Sequence, residues 1–269
     1  MAIGKNRDSR GSVGKNKATD KNKAAEKSGS TAGKGNAAVP TVDLPQSVSV
    51  IIPCFNEEET IENCVNAIPE LPWECEIIVV DDGSKDRTAE VARKIKRSNL
   101  KVVSYKPNGG KGHAFRTGFE AATGDVVVIQ DADMNPEQDL VEVLKPLFEG
   151  KADFVNGTRF VYPMEKGAMK ALHVPGNMAF ASLVSLMCGA KLSDSLCGYK
   201  AFRRKMLLGQ LHENSWPDFE MLIKAGRNKM RIVEVPIHYN KRKKGESKMR
   251  TFKHGWNMLA MLVKAAFEK

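Results

Sequence analysis

The sequence contains no CxxC pair and no histidine at zinc-finger spacing, although five cysteines (Cys54, Cys64, Cys75, Cys188 and Cys197) are scattered along its 269 residues. An odd, dispersed set reads as reduced thiols, which excludes a disulfide framework and points to the cytosol. The amino terminus carries no apolar core of the secretory kind. No apolar run reaches the roughly 20 residues that cross a bilayer. The nearest, residues 174–190, is uncharged but broken by Pro175, Gly176, Asn177 and two serines. It fits a helix buried in protein or lying in a membrane interface. Large apolar side chains are almost missing from residues 1–46, which therefore cannot offset their ordering entropy and read as a disordered tail. Two phosphate-binding signatures are absent as well. GxxxxGK followed by Ser or Thr occurs nowhere, and no GxGxxG follows the first strand.

Charge is unevenly spread. The formal net charge is +10, but residues 1–46 hold nine Lys/Arg against four Asp/Glu and residues 230–269 hold ten against three, leaving −2 between them. Two basic ends on a near-neutral body suit an anionic surface or anionic ligands. For the tail, acidic lipid, nucleic acid and a purely solubilising role stay open, while nucleic acid is not expected as a partner of the protein as a whole. The expected organisation is a basic tail over 1–46, a globular domain over 47–250 and an amphipathic helix over 251–269.

Within the domain, short β-branched runs of strand length recur at Val48–Ile52, Ile77–Val80, Lys101–Tyr105 and Val126–Ile129, with further strands at Phe154–Asn156 and Ile232–Val235. Helical patterns separate them: Glu59–Ala67, Thr88–Ile95, Ala114–Thr123 and the Leu140, Val141, Leu144, Leu147, Phe148 stripe. This alternation predicts an α/β fold, a mainly parallel, Rossmann-like sheet with helices on both faces. Ligands of such sheets bind beyond the carboxyl ends of the strands. At those ends stand Pro53-Cys54-Phe55-Asn56-Glu57-Glu58, Asp81-Asp82-Gly83-Ser84, Asp131-Ala132-Asp133 and Gly157-Thr158-Arg159.

Asp131 and Asp133, at the mouth of a buried strand, repel one another unless a cation lies between them. Mg²⁺ or Mn²⁺, satisfied by one or two carboxylates plus phosphate oxygens, suits that pair. Helix capping by Asp133 is the alternative. Asp82 could accept hydrogen bonds from a base or ribose, while Asp86 reads as a cap for the helix entered at Thr88. The Asn108-Gly109-Gly110-Lys111-Gly112-His113 segment reads as a flexible loop with Lys111 facing solvent. Arg242 and Lys248, in Arg242-Lys-Lys-Gly245-Glu-Ser247-Lys248, could clamp a diphosphate or form a solvated charge run.

These ordered motifs, from Ile51-Ile-Pro-Cys-Phe-Asn-Glu-Glu through Val80-Asp-Asp-Gly-Ser, Asp131-Ala-Asp and Gly157-Thr-Arg to the Arg242 segment, resemble the family-2 inverting glycosyltransferases over about residues 47–250. The nearest branch is that of dolichyl-phosphate mannosyltransferases and polyprenyl-phosphate glucosyltransferases. The resemblance implies a GT-A fold and a metal-dependent transfer of a hexose from a nucleotide-sugar. It implies that Pro53, Phe55, Glu57, Val80 and Asp82 line the nucleotide, that Ala132 packs beside the donor, and that Arg159, Arg242 and Lys248 face phosphates. Asp131 and Asp133 would hold the metal, with Asn135 standing where members often carry a glutamine near it. His173 stands near where they often carry an arginine.

A sugar hydroxyl as acceptor would need a general base, whereas a phosphate monoester, with a second pKa of about 6, is already largely dianionic. The cations Arg159, Arg203, Arg204, Arg242 and Lys248 fit a lipid-phosphate acceptor, and no QxxRW-like motif is present. Asp133, Arg159 and Asp194 are the expected catalytic set, Asp194 serving as base, as acceptor-orienting group or in a structural salt bridge. GDP-mannose with dolichyl or polyprenyl phosphate is the preferred substrate pair. UDP-glucose as donor, a soluble saccharide as acceptor, nucleotidyl transfer and a non-catalytic sugar-nucleotide sensor are the alternatives. Phe252, Trp256, Leu259, Val263 and Phe267 repeat at helical spacing beside Lys253, Lys264 and Lys269, a pattern that suits either an interfacial helix or packing on the domain. The expected setting is peripheral, on the cytosolic face of a membrane (endoplasmic reticulum in a eukaryote, cell membrane otherwise), with a small membrane-protein subunit as a candidate partner.

Overall fold

The β-branched runs form strands and the intervening stripes form helices in the computed structural model, which describes residues 43–132, 139–163, 173–212 and 217–239, with only the backbone for 173 and 174. The strands are β1 (Ser47–Cys54), β2 (Glu74–Asp81), β3 (Leu100–Ser104), β4 (Val126–Ile129), β5 (Phe154–Thr158), β6 (Lys200–Arg203) and β7 (Ile232–Pro236). The helices are α1 (Ile61–Asn66), α2 (Thr88–Lys94), α3 (Lys111–Ala121), α4 (Leu140–Phe148), α5 (His173–Cys188), α6 (Arg204–Leu207) and α7 (Pro217–Arg227). The tail through residue 42 and the expected helix over 251–269 lie outside the described residues.

One sheet runs in the order β3-β2-β1-β4-β6-β5-β7. All pairs are parallel except those of β6, which is antiparallel to both β4 and β5. The six expected strands are present. β6 is the addition: four residues with a cation at each end show no period-2 apolar pattern, and only its neighbours supply the burial that makes it a strand.

Side-chain alternation divides the core between the two faces. Val48, Val50 and Ile52 of β1 point with Val126 and Val128 toward α1, α2 and α4. Ile51, Val127 and Ile129 point with Phe154 and Phe202 toward α3, α5 and α7. The Phe154 and Phe202 rings, opposite one another in the β5–β6 register, stack at 5.5 Å. Glycine lets α3 approach closely: a Cβ on Gly118 would stand 2.5 Å from Ile51 Cγ2.

The run at 174–190 is largely α5. One stripe, Asn177, Ala181, Val184 and Cys188, is buried, while Met178, Leu183 and Leu186 are exposed. Among the described residues no helix is long and apolar enough to cross a membrane.

Candidate active site

The order of strands reverses between β1 and β4, so their carboxyl ends bound a crevice into which the succeeding loops project. The loops after β1 and β2 are joined by main-chain donors to side-chain acceptors. Asn56 N donates to Ser84 Oγ, Glu57 N to Thr88 Oγ1, Glu58 N to Asp86 Oδ2, and Lys85 N to Asn56 Oδ1. Asp86 also accepts from Thr88 N at the start of α2, the expected capping role. Asn56 itself takes a left-handed φ of 56°, which an asparagine tolerates.

Asp82 is occupied from within the chain. Its Oδ1 accepts from Tyr105 Oη (2.8 Å) and Gly109 N (2.7 Å), and its Oδ2 from Asn108 Nδ2 (2.8 Å) and Gly110 N (2.9 Å). A carboxylate has about four lone-pair sites, and here all four are used, three of them to hold the 108–110 loop down and one for Tyr105. Burial and the Asp82 carboxylate push the Tyr105 phenol well above its usual range, keeping it a donor. Gly83 is required where it stands, because its φ is +69° and a Cβ would lie 2.9 Å from Asn108 N. The loop after β2 thus anchors a second loop, a role that a reading confined to nucleotide contact does not contain. Pro53, Phe55 and Glu57 are half-buried at the rim, whereas Val80 and Ala132 are buried in the core, Val80 beneath Gly118 of α3.

The loop so anchored delivers Lys111, the first residue of α3, to the end of β4. Its Nζ lies 2.9 Å from Asp131 Oδ1 and 3.9 Å from Asp218 Oδ2, while Lys200 Nζ lies 3.7 Å from Asp218 Oδ1. Charges alternate along this row: Asp131, Lys111, Asp218, Lys200. Side-chain exposure falls along it from 25% at Asp131 and 37% at Lys111 to 11% and 0%. Lys200 Nζ also donates to Cys197 O, which satisfies part of an otherwise costly buried ammonium. Gly198 passes directly over the outer pair; a Cβ there would stand 2.5 Å from Asp131 Oδ2 and 2.9 Å from Lys111 Nζ. Lys111 does not face solvent alone, as the sequence suggested. Lys200, Gly198 and Asp218 carry no signal in the sequence: Lys200 sits in the unrecognised β6, Gly198 just before it, and Asp218 in a helix start that looks like ordinary capping.

Arg159 and Asp194 meet at the end of β5. Arg159 Nε donates to Asp194 Oδ2 at 2.6 Å and Nη2 to Oδ1 at 2.8 Å, with side chains 12% and 0% exposed. Asn177 Nδ2 and Leu196 N also donate to Asp194 Oδ1. Burial alone would raise the Asp194 pKa, but the Arg159 hydrogen bonds and charge outweigh it and hold the carboxyl below its ordinary range. A fully enclosed carboxylate with its lone pairs filled is a positioning group. Asp194 forms the salt bridge that the sequence offered as one of its roles. Arg159 lies 5.1 Å beneath the Tyr239 ring, at the exit of β7.

Arg203 and Arg204 do not join these cations. The antiparallel run of β6 carries them to the amino edge, where Arg203 pairs with Asp153 at 3.3 Å and donates to Asp43 O, and Arg204 N donates to Asp125 O. A cleft of about 510 Å³ beside Trp73, Cys75 and Arg97 opens near the same edge and belongs to no group of site carboxylates. Asp133, Asn135, Arg242 and Lys248 lie outside the described residues, as does the side chain of His173. Among the described residues no cluster of three or more His, Cys, Asp or Glu side chains could enclose a metal.

Glycosyl transferase family 2 matches residues 49–209, the span that holds most of β1, all of β2 to β6 and the loops after β1, β2, β4 and β5, and that ends before Asp218 and β7. The chain belongs to this family. Over 225 residues this family-2 chain is 32% identical to a dolichyl-phosphate hexose transferase of Haloferax volcanii, covering 82% of itself and 95% of that protein. It is 33% identical over 217 residues to a dolichol-phosphate mannosyltransferase of Pyrococcus furiosus (76% and 59%). It spans only 34% of glycosyltransferase AglD and 55% of the hexosyltransferase Agl6, both from Haloferax volcanii, to which it is also similar. Among solved structures, glucosyl-3-phosphoglycerate synthase of Mycobacterium tuberculosis superposes with a TM-score of 0.64 at 23% identity, covering 83% of this chain and 80% of that one. That likeness is one of fold, the GT-A-like arrangement of a mostly parallel seven-stranded sheet between helices.

Proposed function

We propose that this family-2 chain transfers a hexose from a nucleoside-diphosphate sugar to the phosphate of a dolichyl or other polyprenyl lipid, with GDP-mannose the preferred donor. The observation that carries the reading is the partly open Asp131 carboxylate at the β1–β4 crevice, next to cations. An acceptor that needs no base fits such a rim, and a phosphate dianion is one. Relatives named for transfer to dolichyl phosphate support the acceptor class, one of them spanned almost completely.

A divalent cation fits the residues present. Asp131 supplies hard oxygens and a glycine leaves room above them. Asp131, with Asp133 and Asn135, would hold Mg²⁺ or Mn²⁺, which when bound offsets charge developing on the departing diphosphate. Arg159, fixed by Asp194, would keep a guanidinium directed at phosphate oxygens, and Arg242 and Lys248 would add cations from the segment after β7. The bond from the anomeric carbon to the diphosphate breaks as an acceptor phosphate oxygen bonds to that carbon from the opposite side. The nucleoside diphosphate leaves and the configuration inverts. Asp82 and Tyr105 hold the loop that presents Lys111, so the nucleotide contacts expected of Asp82 would fall to that loop, since its carboxylate is already filled from within the chain. Peripheral attachment to the cytosolic face of a membrane, through the exposed apolar side of α5 and the segment over 251–269, completes the reading.

The test is a donor and acceptor matrix: labelled GDP-mannose and UDP-glucose, each with and without Mn²⁺, and with polyprenyl phosphate or a soluble saccharide. Label is expected in the organic phase from GDP-mannose with Mn²⁺ and polyprenyl phosphate. Label that stays aqueous with every donor would overturn the lipid acceptor. Transfer from UDP-glucose alone would overturn the donor preference.

A further inference from the structure

We infer that Lys111 is a resident counter-cation: its ammonium holds Asp131 while no divalent cation is bound and passes to Asp218 when one arrives. The inference rests on the proposed metal site at Asp131 and adds to it a second state of the chain's own charges.

Three features point to it. Lys111 opens α3, at the end of an eleven-residue helix where the dipole is positive and a cation is disfavoured. Its retention there requires a compensating anion, and at 2.9 Å Asp131 provides one. A divalent cation on Asp131 would face that ammonium at a separation where two positive charges repel strongly, so one of them must yield. The place to yield to is already built. Asp218 Oδ2 stands 3.9 Å from the same Nζ, so about 1 Å of motion of a flexible side chain turns a distant ion pair into a contact. Asp218 is nearly buried, and its Oδ1 accepts no hydrogen bond among the described residues, with Lys200 Nζ still 3.7 Å away. A buried carboxylate held between two ammonium groups, in contact with neither, has acceptor capacity to spare. Gly198 leaves room for the exchange, since a Cβ there would collide with both Asp131 Oδ2 and Lys111 Nζ.

The arrangement makes metal affinity depend on a residue that is not a ligand. Binding of Mn²⁺ alone, without nucleotide, is measured on the full chain from the electron paramagnetic resonance signal of the free ion. Lys111→Gln removes the competing ammonium from a partly exposed position and is expected to tighten Mn²⁺ about fivefold or more. Asp218→Asn removes the receiving carboxylate and is expected to weaken Mn²⁺ in the wild-type background, with little effect once Lys111 is Gln. That non-additivity distinguishes a carboxylate that acts through Lys111 from one that acts by its own charge. Equal or weaker Mn²⁺ binding by Lys111→Gln overturns the inference while leaving the metal site standing. An equal Asp218→Asn effect in both backgrounds overturns the transfer to Asp218. Failure of wild type and Lys111→Gln alike to bind Mn²⁺ overturns the metal site itself, and the inference with it.

Discussion

The Arg159–Asp194 pair is enclosed so completely that neither member can be removed quietly. Asp194 carries its charge with no exposed surface and depends on Arg159, Asn177 and Leu196 N to offset the loss of water. Asp194→Asn keeps the shape but leaves a guanidinium at 12% exposure without its anion. Breaking one side of a buried ion pair costs about 3–5 kcal/mol. For a domain of this size that corresponds to a fall in melting temperature of roughly 6–20 °C. Thermal unfolding monitored by circular dichroism reads it, and a loss under 2 °C would show that the pair is not an energetic anchor. At the same scale, Asp82 shows how a residue can be visible in the sequence while its partners within the chain are not. The acidic pair after β2 is visible in the sequence, but its four donors come from 23 to 28 residues downstream, a closure that no local pattern announces.

Among the elements, α3 is the one whose seating is most sensitive. Its axis lies close to β1 and β2 because Gly118 has no side chain, and a methyl there would press on Ile51 and Val80, both without exposed surface. Gly118→Ala is expected to destabilise by about 1–3 kcal/mol through overpacking, despite the better helix propensity of alanine. Urea unfolding measures the balance, and a stabilised variant would show that the helix can lift without loss. Elements also mark where sequence patterns lose their hold. β1, β2, β4 and β5 are legible because a buried parallel strand is apolar on both faces, and the half-buried β3 and β7 by their β-branched residues alone. β6 is not, since Lys200 is buried only by virtue of Cys197 O and the distant Asp218, and Arg203 is anchored by Asp153. With β6 hidden, the sequence pattern puts Arg203 and Arg204 at the wrong edge, and the row from Asp131 to Lys200 cannot be assembled. The motifs after β1, β2, β4 and β5 point to the rim without that knowledge.

For the molecule as a whole, acid is the most direct probe of these charges. Burial opposes ionisation of Glu76, but hydrogen bonds from Lys101, Ser49 and Thr123 bring its pKa down to about 2. Asp194 and Asp153 are likewise held low by their arginines against the penalty of burial. A carboxyl whose folded pKa lies below its unfolded value stabilises fully above the unfolded value and loses that contribution as pH falls through the folded one. With unfolded values near 4, stability is expected to be level in this respect down to about pH 5 and to decline steeply between about pH 4 and 2. Urea midpoints across that range check it. Glu76→Gln should flatten the lower part of the decline, and an unchanged profile would remove Glu76 from the account.

The reversed direction of β6 has an effect on how this architecture tolerates change. The chain leaves the rim at Arg159 and comes back to it at Lys200, so both ends of that excursion are pinned at the ligand side while the described residues between them, α5 included, belong to no strand of the sheet. Away from the buried Asn177 and Asp194, a change of length there slides no strand against its neighbour. One side of the rim can therefore be rebuilt while the loops after β1, β2 and β4 keep their register.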